Sequence, residues 1–311
     1  MAQDKLFVGI DVSKAWLDVA VWPTGEAFRV SNDREGRAEL IRRLRRVPIE
    51  AIGLEASGGY ERGALNALLD AGLPARRINP LRVRQFAKAC GIIAKNDRID
   101  ALVIARFLSS VPQHPIERHP AAEALAELVT ARRQLGEELT RATNQAEHAT
   151  NAMLKRLARK RANRIKADIL LLEKAIAQAV AADPNLTRKS ELMRSVPGVG
   201  PVFTHSLLAL MPELGKLSNR QAAALLGVAP FDCDSGMFRG QRRIFGGRRE
   251  LRDVAYMAAL VASSHNPVFR AFKERLREAG KKPKVIIVAV MRKLIVALNA
   301  MIRDNKSWQP A

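Results

Sequence analysis

Between residues 5 and 78 the apolar positions recur first with a period of two and then with a period near 3.6, and the order of these segments constrains the fold most. Residues 5–11, 16–22 and 26–31 read as three strands joined by short turns. An amphipathic segment near 34–47 follows, with Leu40, Ile41 and Leu44 on one side. A strand at 50–55, a helix at 60–71, a short strand near 74–78 and helices from about 81 onward complete this half. Strands in a meander, then alternating with helices, require a mixed sheet covered by helices.

Two of these strands end in an acid. Asp11 closes the apolar run of LFVGIDVSK and Glu55 closes that of AIGLEASGGY. Strand side chains alternate in direction, so Asp11 shares a face with Phe7 and Gly9 while Leu6, Val8 and Ile10 point the other way. Asp97 and Asp100, in KNDRIDALVIARF, are three apart and fall on one face of a helix that Asn96 or Asp97 would cap. Taken singly, each has a structural reading as a turn, cap or first-turn residue, where acids suit the helix dipole. Taken together they suit metal binding. Like charges held close repel, and two divalent cations roughly 3.5–4 Å apart would neutralise them while clamping the attacking and leaving oxygens of a phosphodiester. Hard carboxylate oxygens favour Mg²⁺ over zinc.

The order of strands and helices is that of ribonuclease H-like folds. The motifs GIDVSK, GLEASGGY, KNDRIDA, PGVGP at 197–201, GVAP at 227–230 and the Asp234-Ser235-Gly236 triplet, in that order, resemble the DEDD transposases of insertion sequences. These are relatives of the Piv-type DNA invertases and the bridge-RNA-guided recombinases. The resemblance runs from about residue 6 to 300. It implies a RuvC-like α/β domain, a helical coiled-coil region and a mainly α-helical carboxy-terminal transposase domain. Asp11, Glu55, Asp97 and Asp100 would then hold Mg²⁺, and Ser235 would attack a DNA phosphodiester to give a covalent phosphoserine. It also implies a structured guide RNA pairing with target and donor DNA. FDCDSGMFRGQRRIFGG carries Asp232 and Asp234 just before Ser235, where many relatives of the family are less charged. On chemistry alone Cys233 is a rival nucleophile, though thiolate attack on phosphodiesters is not a usual route.

The charge agrees. The net charge of +21 over 311 residues is the footprint expected of a nucleic-acid partner. Its excess is +5 over 1–110, +5 over 111–190 and +11 over 191–311, so the last third is the most basic. Membrane association is not expected, since no apolar run of about 18 residues and no signal-type amino terminus stand out; a cytoplasmic protein is expected. Cys90 and Cys233 make no metal-ligand spacing and suit a reducing compartment. His114 and His119 lie in VPQHPIERHP, which reads as a linker.

Three regions are therefore expected, at 1–112, 121–183 and 190–311. Residues 121–182 carry a heptad seam through Leu128, Leu135 and Leu139 and a second through Ile165, Ile169, Leu172, Ile176 and Ala179. They predict a helical hairpin or coiled coil, with the basic KRLARKRANRIK at or near its bend, as a solvated face or a nucleic-acid contact. The hairpin would mediate homo-oligomerisation, and a site assembled between subunits is one outcome. LMRSVPGVGPVFTHSLLALM reads as a helix-hairpin-helix element whose turn, with Gly198 and Gly200, offers backbone N–H groups to a phosphate. Ser218 and Gln221 form a capping box closed by Gly227. Arg239, Arg242, Arg243, Arg248 and Arg249 follow Ser235 and would hold the scissile phosphate. Two rival functions share these features: a metal-dependent junction endonuclease using water, and a non-catalytic nucleic-acid-binding protein.

Overall fold

The computed structural model describes residues 5–92, 97–111, 120–231, 234–235, 238–240 and 242–310; the side chains of 97, 98, 234, 235, 238 and 239 lie outside the description. The proposed cap Asn96, the linker histidines, Asp232, Cys233 and Gly236 also lie outside the described residues. The chain divides into two compact units, Met1–Glu117 and Arg118–Ala311.

The first unit opens with β1 (Leu6–Val12), β2 (Trp16–Trp22) and β3 (Ala27–Ser31), followed by α1 (Arg34–Leu44), β4 (Ile49–Glu55), α2 (Glu61–Asp70), β5 (Ala75–Ile78), α3 (Pro80–Ala89) and α4 (Asp97–Ser110). The sheet order is β3-β2-β1-β4-β5, with β1, β4 and β5 parallel and the β1-β2-β3 meander antiparallel. This is the mixed sheet that the segment order predicts. Caps start the helices where the sequence turns: Asp33 accepts from the Gly36 N–H, and Asn79 accepts from the Leu81 N–H ahead of Pro80. Val8, Ile10 and Val12 bury with Leu40, Leu44, Leu54 and Leu68 on one side of the sheet. Ala51 and Ile78 bury with Val103, Ile104, Phe107 and Leu108 of α4 on the other.

The second unit is helical. It runs through α5 (Pro120–His148), α6 (Ala152–Ala181), α7 (Pro184–Arg194), α8 (Pro201–Leu210) and α9 (Asn219–Leu226). Four two-residue strands follow: β6 (Pro230–Phe231), β7 (Asp234–Ser235), β8 (Phe238–Arg239) and β9 (Arg243–Ile244). The chain closes with α10 (Arg249–His265), α11 (Pro267–Glu278) and α12 (Pro283–Asp304). The capping box at Ser218 and Gln221 forms, and Gly227 ends α9 at φ +78°.

Three features differ from the sequence expectations. The hairpin and the carboxy-terminal helices belong to one unit, because Leu125, Val129, Ile176 and Val180 at the hairpin's open end bury in the same core as Phe203, Leu207, Ala259 and Leu294. The hairpin forms as expected, but Leu135 and Leu139, expected to support self-association, pack within the chain against Ala142, Ala162, Ile165 and Ile169, so that seam joins α5 to α6. And α12 is, by length and composition, apolar enough to cross a membrane, contrary to the expectation that no such run exists. Its apolar face, including Ile287, Val290, Leu294 and Leu298, lies in the core of the second unit.

Candidate functional site

Asp11 and Glu55 end neighbouring parallel strands in one register. Gly9 stands beside Gly53 and Ile10 beside Leu54, so Asp11 and Glu55 are next in the row, on strands about 4.8 Å apart. They share a face with the two glycines, and that is the face under α4. A Cβ on Gly9 would lie 2.0 Å from the Ala101 carbonyl oxygen and 2.5 Å from the Ala105 nitrogen; one on Gly53 would meet the side chains of Leu108, Ile104 and Ile78 at 2.9–3.0 Å. The helix therefore presses its backbone onto β1 at Gly9. Its direction follows from a second contact: the Arg106 guanidinium lies 5.4 Å from the Trp22 ring centre, and Trp22 pairs with Phe7 at the start of β1. Running α4 backwards from Arg106 through Ala101 thus runs β1 forwards from Phe7 through Gly9 towards Asp11. Asp100 and the backbone of Asp97, in the first turn of α4, fall at the Asp11 end.

Antiparallel register adds a carboxylate that sequence reading missed. Asp18 on β2 is directly opposite Asp11, and like charges so placed are destabilising. Arg29, opposite Asp18 on β3, offsets this by a bidentate pair, Nε to Oδ1 at 2.8 Å and Nη2 to Oδ2 at 3.0 Å. Asp11 itself accepts from the Val12 N–H at 3.0 Å.

The loops after the two acids are also fixed. Asn32 donates through Nδ2 to the Ser13 carbonyl at 2.9 Å and to the Tyr60 carbonyl at 3.1 Å, tying the turn after Asp11 to the turn after Glu55. Arg37 holds Asn32 in place by donating to its Oδ1 at 3.2 and 3.0 Å. Glu61 is buried and accepts from the Ser57 and Gly59 N–H groups at 3.1 and 2.9 Å, with Arg77 beyond at 3.6 Å. Burial works to raise its pKa, but the backbone N–H bonds and the Arg77 charge together outweigh it and hold the carboxyl below its usual range.

The donors are hard oxygens, and the backbone brings Asp11, Glu55 and Asp100 to one end of one face, which suits a divalent cation. Among the described residues, which exclude the Asp97 side chain, no group of three or more His, Cys, Asp or Glu is closed tightly enough to hold a metal.

In the second unit Ser235 lies in β7, paired with Phe238 of β8, while β6 pairs with β9 through Pro230–Ile244 and Phe231–Arg243. The segment is pinched at its base. Gly227 and Gly247 are in backbone contact, since a Cβ on Gly247 would lie 2.3 Å from the Gly227 nitrogen, and Arg252 donates to the carbonyls of Gly227 and Gly246 at 3.3 and 2.7 Å. Arg252 escaped sequence reading because nothing local marks an arginine that caps a distant turn. Among the five arginines, Arg248 donates to the Leu210 carbonyl and pairs with Glu213 at 2.6 Å, so it braces the start of α10. Arg242, Arg243 and Arg249 are exposed, and the Arg239 side chain is outside the description. In the turn between α7 and α8, Gly198 packs against the α10 backbone at Ala262, whereas Gly200 caps α8 with open space at its Cα.

Residues 8–155 match the family model DEDD_Tnp_IS110, described as a transposase, and residues 190–274 match the transposase IS116/IS110/IS902 family. The chain belongs to this family of transposases. The family assignment makes it a DNA transposase/recombinase. The transposase is 28% identical to the pilin gene-inverting protein of Moraxella bovis over 98% of both chains. It is 31% identical to an uncharacterized 42 kDa protein of insertion element IS900 from Mycobacterium paratuberculosis, over 40% of this chain and 32% of that one. The Thermus thermophilus RuvC structure aligns at 21% identity over 32% of this chain and 90% of that chain, with a TM-score of 0.26.

Proposed function

We propose that this transposase cuts and rejoins DNA by a serine-linked route assisted by divalent metal. The observation that carries the reading is the row of Asp11 and Glu55 on neighbouring parallel strands, beneath the first turn of the helix bearing Asp97 and Asp100. These four residues would hold Mg²⁺, which supplies Lewis-acid stabilisation of charge on a phosphodiester. The Ser235 hydroxyl oxygen forms a bond to phosphorus as a phosphodiester P–O bond breaks; the serine proton is lost to base and the departing DNA oxygen takes up a proton. Attack by a DNA hydroxyl on the phosphoserine reverses these events and reseals a strand. Exposed Arg242, Arg243 and Arg249, with Arg239, are the candidate phosphate clamps, and Gly198 and Gly200 lie in a second candidate phosphate contact. A structured guide RNA and a homo-oligomer with a shared site belong to the same proposal, as does action on bacterial cytoplasmic DNA.

The test is the covalent intermediate. Wild-type protein incubated with element-end DNA and Mg²⁺ is expected to give an adduct that survives denaturation and maps by mass spectrometry to the peptide containing Ser235; Ser235→Ala is expected to lose both adduct and recombination. Because Asp11, Glu55 and Asp100 belong to the first unit and Ser235 to the second, hydrolysis by the carboxylates alone is the competing reading. An Ala variant that cleaves at near wild-type rate establishes that reading and overturns the serine route.

A further inference from the structure

The α5–α6 hairpin extends past the core of its own unit. From Val129 and Ile176, its buried anchors in that core, to the bend at 149–151 the helices continue for on the order of 30 Å. Over this stretch they are joined by a seam of their own that narrows to Ala142 and Ala162 near the tip. The outer surface of the tip has a chemistry unlike the rest of the hairpin. No acidic residue occurs between Glu147 and Asp168, while seven of the twelve residues from Lys155 to Lys166 are basic. Arg156, Arg159, Lys160, Arg161, Arg164 and Lys166 are exposed, and among the described residues none of them has an ion-pair partner. Nearer the core, by contrast, Arg132 pairs with Glu173 and Arg133 with Glu137 and Glu250.

Two features make this more than a solvated helix face. Arg156, Lys160 and Arg164 recur every four residues of α6, so they stack along one stripe and repel one another. A polyanion lying along the stripe relieves that repulsion. Beside the stripe, Met153, Leu154 and Leu157 are 61, 58 and 49% exposed. Apolar side chains flanking unpaired cations suit a ligand with charged edges and an apolar sugar face.

We propose that the distal hairpin is a sequence-independent docking surface for duplex DNA, with Arg156, Lys160 and Arg164 on phosphates and Leu154 and Leu157 against the sugars. The inference rests on the reading of the protein as a DNA-cutting enzyme. It adds a surface remote in sequence from both the carboxylates and Ser235.

The experiment measures binding of the full chain to a duplex of arbitrary sequence in excess chelator, from 50 to 200 mM salt. Each lost phosphate contact removes about 0.9 from the slope of log affinity against log salt. R156Q/K160Q/R164Q is expected to flatten the slope by about 2–3 and to weaken binding at least tenfold near 0.1 M salt, with unchanged helix content. L154A/L157A is expected to weaken binding with the slope unchanged, because apolar contacts release no counterions. A triple variant with the wild-type slope overturns the proposal. So does an equal flattening by K281Q/K282Q/K284Q, which would make the effect one of net charge, or a loss confined to a structured RNA of the same length. If those results come while wild-type protein still cleaves element DNA, the docking surface fails and the catalytic reading stands.

Discussion

Gly9→Ala places the largest demand on the carboxylate site for the smallest chemical change. The added methyl would sit 2.0 Å from the Ala101 carbonyl oxygen, where ordinary contact begins at 3.4 Å, so the α4 backbone must retreat by about 1.4 Å. That oxygen and the Ala105 nitrogen, 2.5 Å from the same methyl, are both backbone atoms. The first turn of α4 moves with it and carries Asp100 away from Asp11, and a misplacement of about 1 Å can lower a rate about 10²-fold. Forcing a methyl into a packed contact also costs about 1–3 kcal/mol. Gly53→Ala is the matched comparison, because its methyl meets side-chain atoms of Leu108, Ile104 and Ile78 near 3 Å and no backbone, and these need give by only a few tenths of an ångström. Strand cleavage over a Mg²⁺ series, with urea unfolding of each variant, is the assay. Gly9→Ala is expected to lose about two orders of magnitude in cleavage at saturating metal, and Gly53→Ala less than one. Equal losses in the two variants, or a wild-type rate in Gly9→Ala, would refute the placement of Asp100 by the α4–β1 contact.

Two further outcomes test the electrostatics. Asp100→Asn, and likewise Asp11→Asn, is expected to abolish cleavage while leaving DNA affinity within about threefold, and cleavage by the wild type is expected to need Mg²⁺ or Mn²⁺ and stop in excess chelator; a parallel loss of binding and cleavage counts against metal ligation. Glu61→Ala removes a buried carboxylate that accepts two backbone N–H bonds, with an expected cost of about 2–3 kcal/mol at pH 7. Since the folded pKa of Glu61 is depressed below 4.5, its contribution is complete above that value and declines as pH falls through the folded pKa, so urea midpoints of wild type and variant should converge in acid. A gap that is constant from pH 7 to pH 3 would contradict the linkage.

The strands, the first helices and the capping box were legible in the sequence because each is written locally. Period-two apolar runs need no partner to be recognised, and Ser218 with Gln221 satisfies its own helix start. The carboxylates at strand ends were legible for the same reason. What escaped reading depends on register or on distant contacts. Asp18 became part of the site only because the β1–β2 pairing sets it opposite Asp11, and Arg29 neutralises it from a third strand. Glu61 had the appearance of an ordinary first-turn acid until burial and the Ser57 and Gly59 N–H groups gave it another task. Arg248 carried the same charge as its neighbours, yet Glu213 and the Leu210 carbonyl occupy it.

The union of the hairpin with the carboxy-terminal region escaped reading on similar grounds. Leu125 and Val129 lie some fifty residues before Ile176 and Val180 in sequence, and heptad spacing describes how the helices meet one another without describing what their open end meets. Leu128 belongs to that open end, packing on the large core, whereas Leu135 and Leu139 pack only on the small seam. One periodic pattern thus does two jobs. Its proximal part anchors the hairpin in the unit that carries Ser235, and its distal part holds a basic tip at a fixed distance from that anchor. Bending of the distal seam would alter that distance without touching the anchor, so the reach of the tip depends on the packing of Leu135, Leu139 and Ile165 rather than on the carboxylates or Ser235.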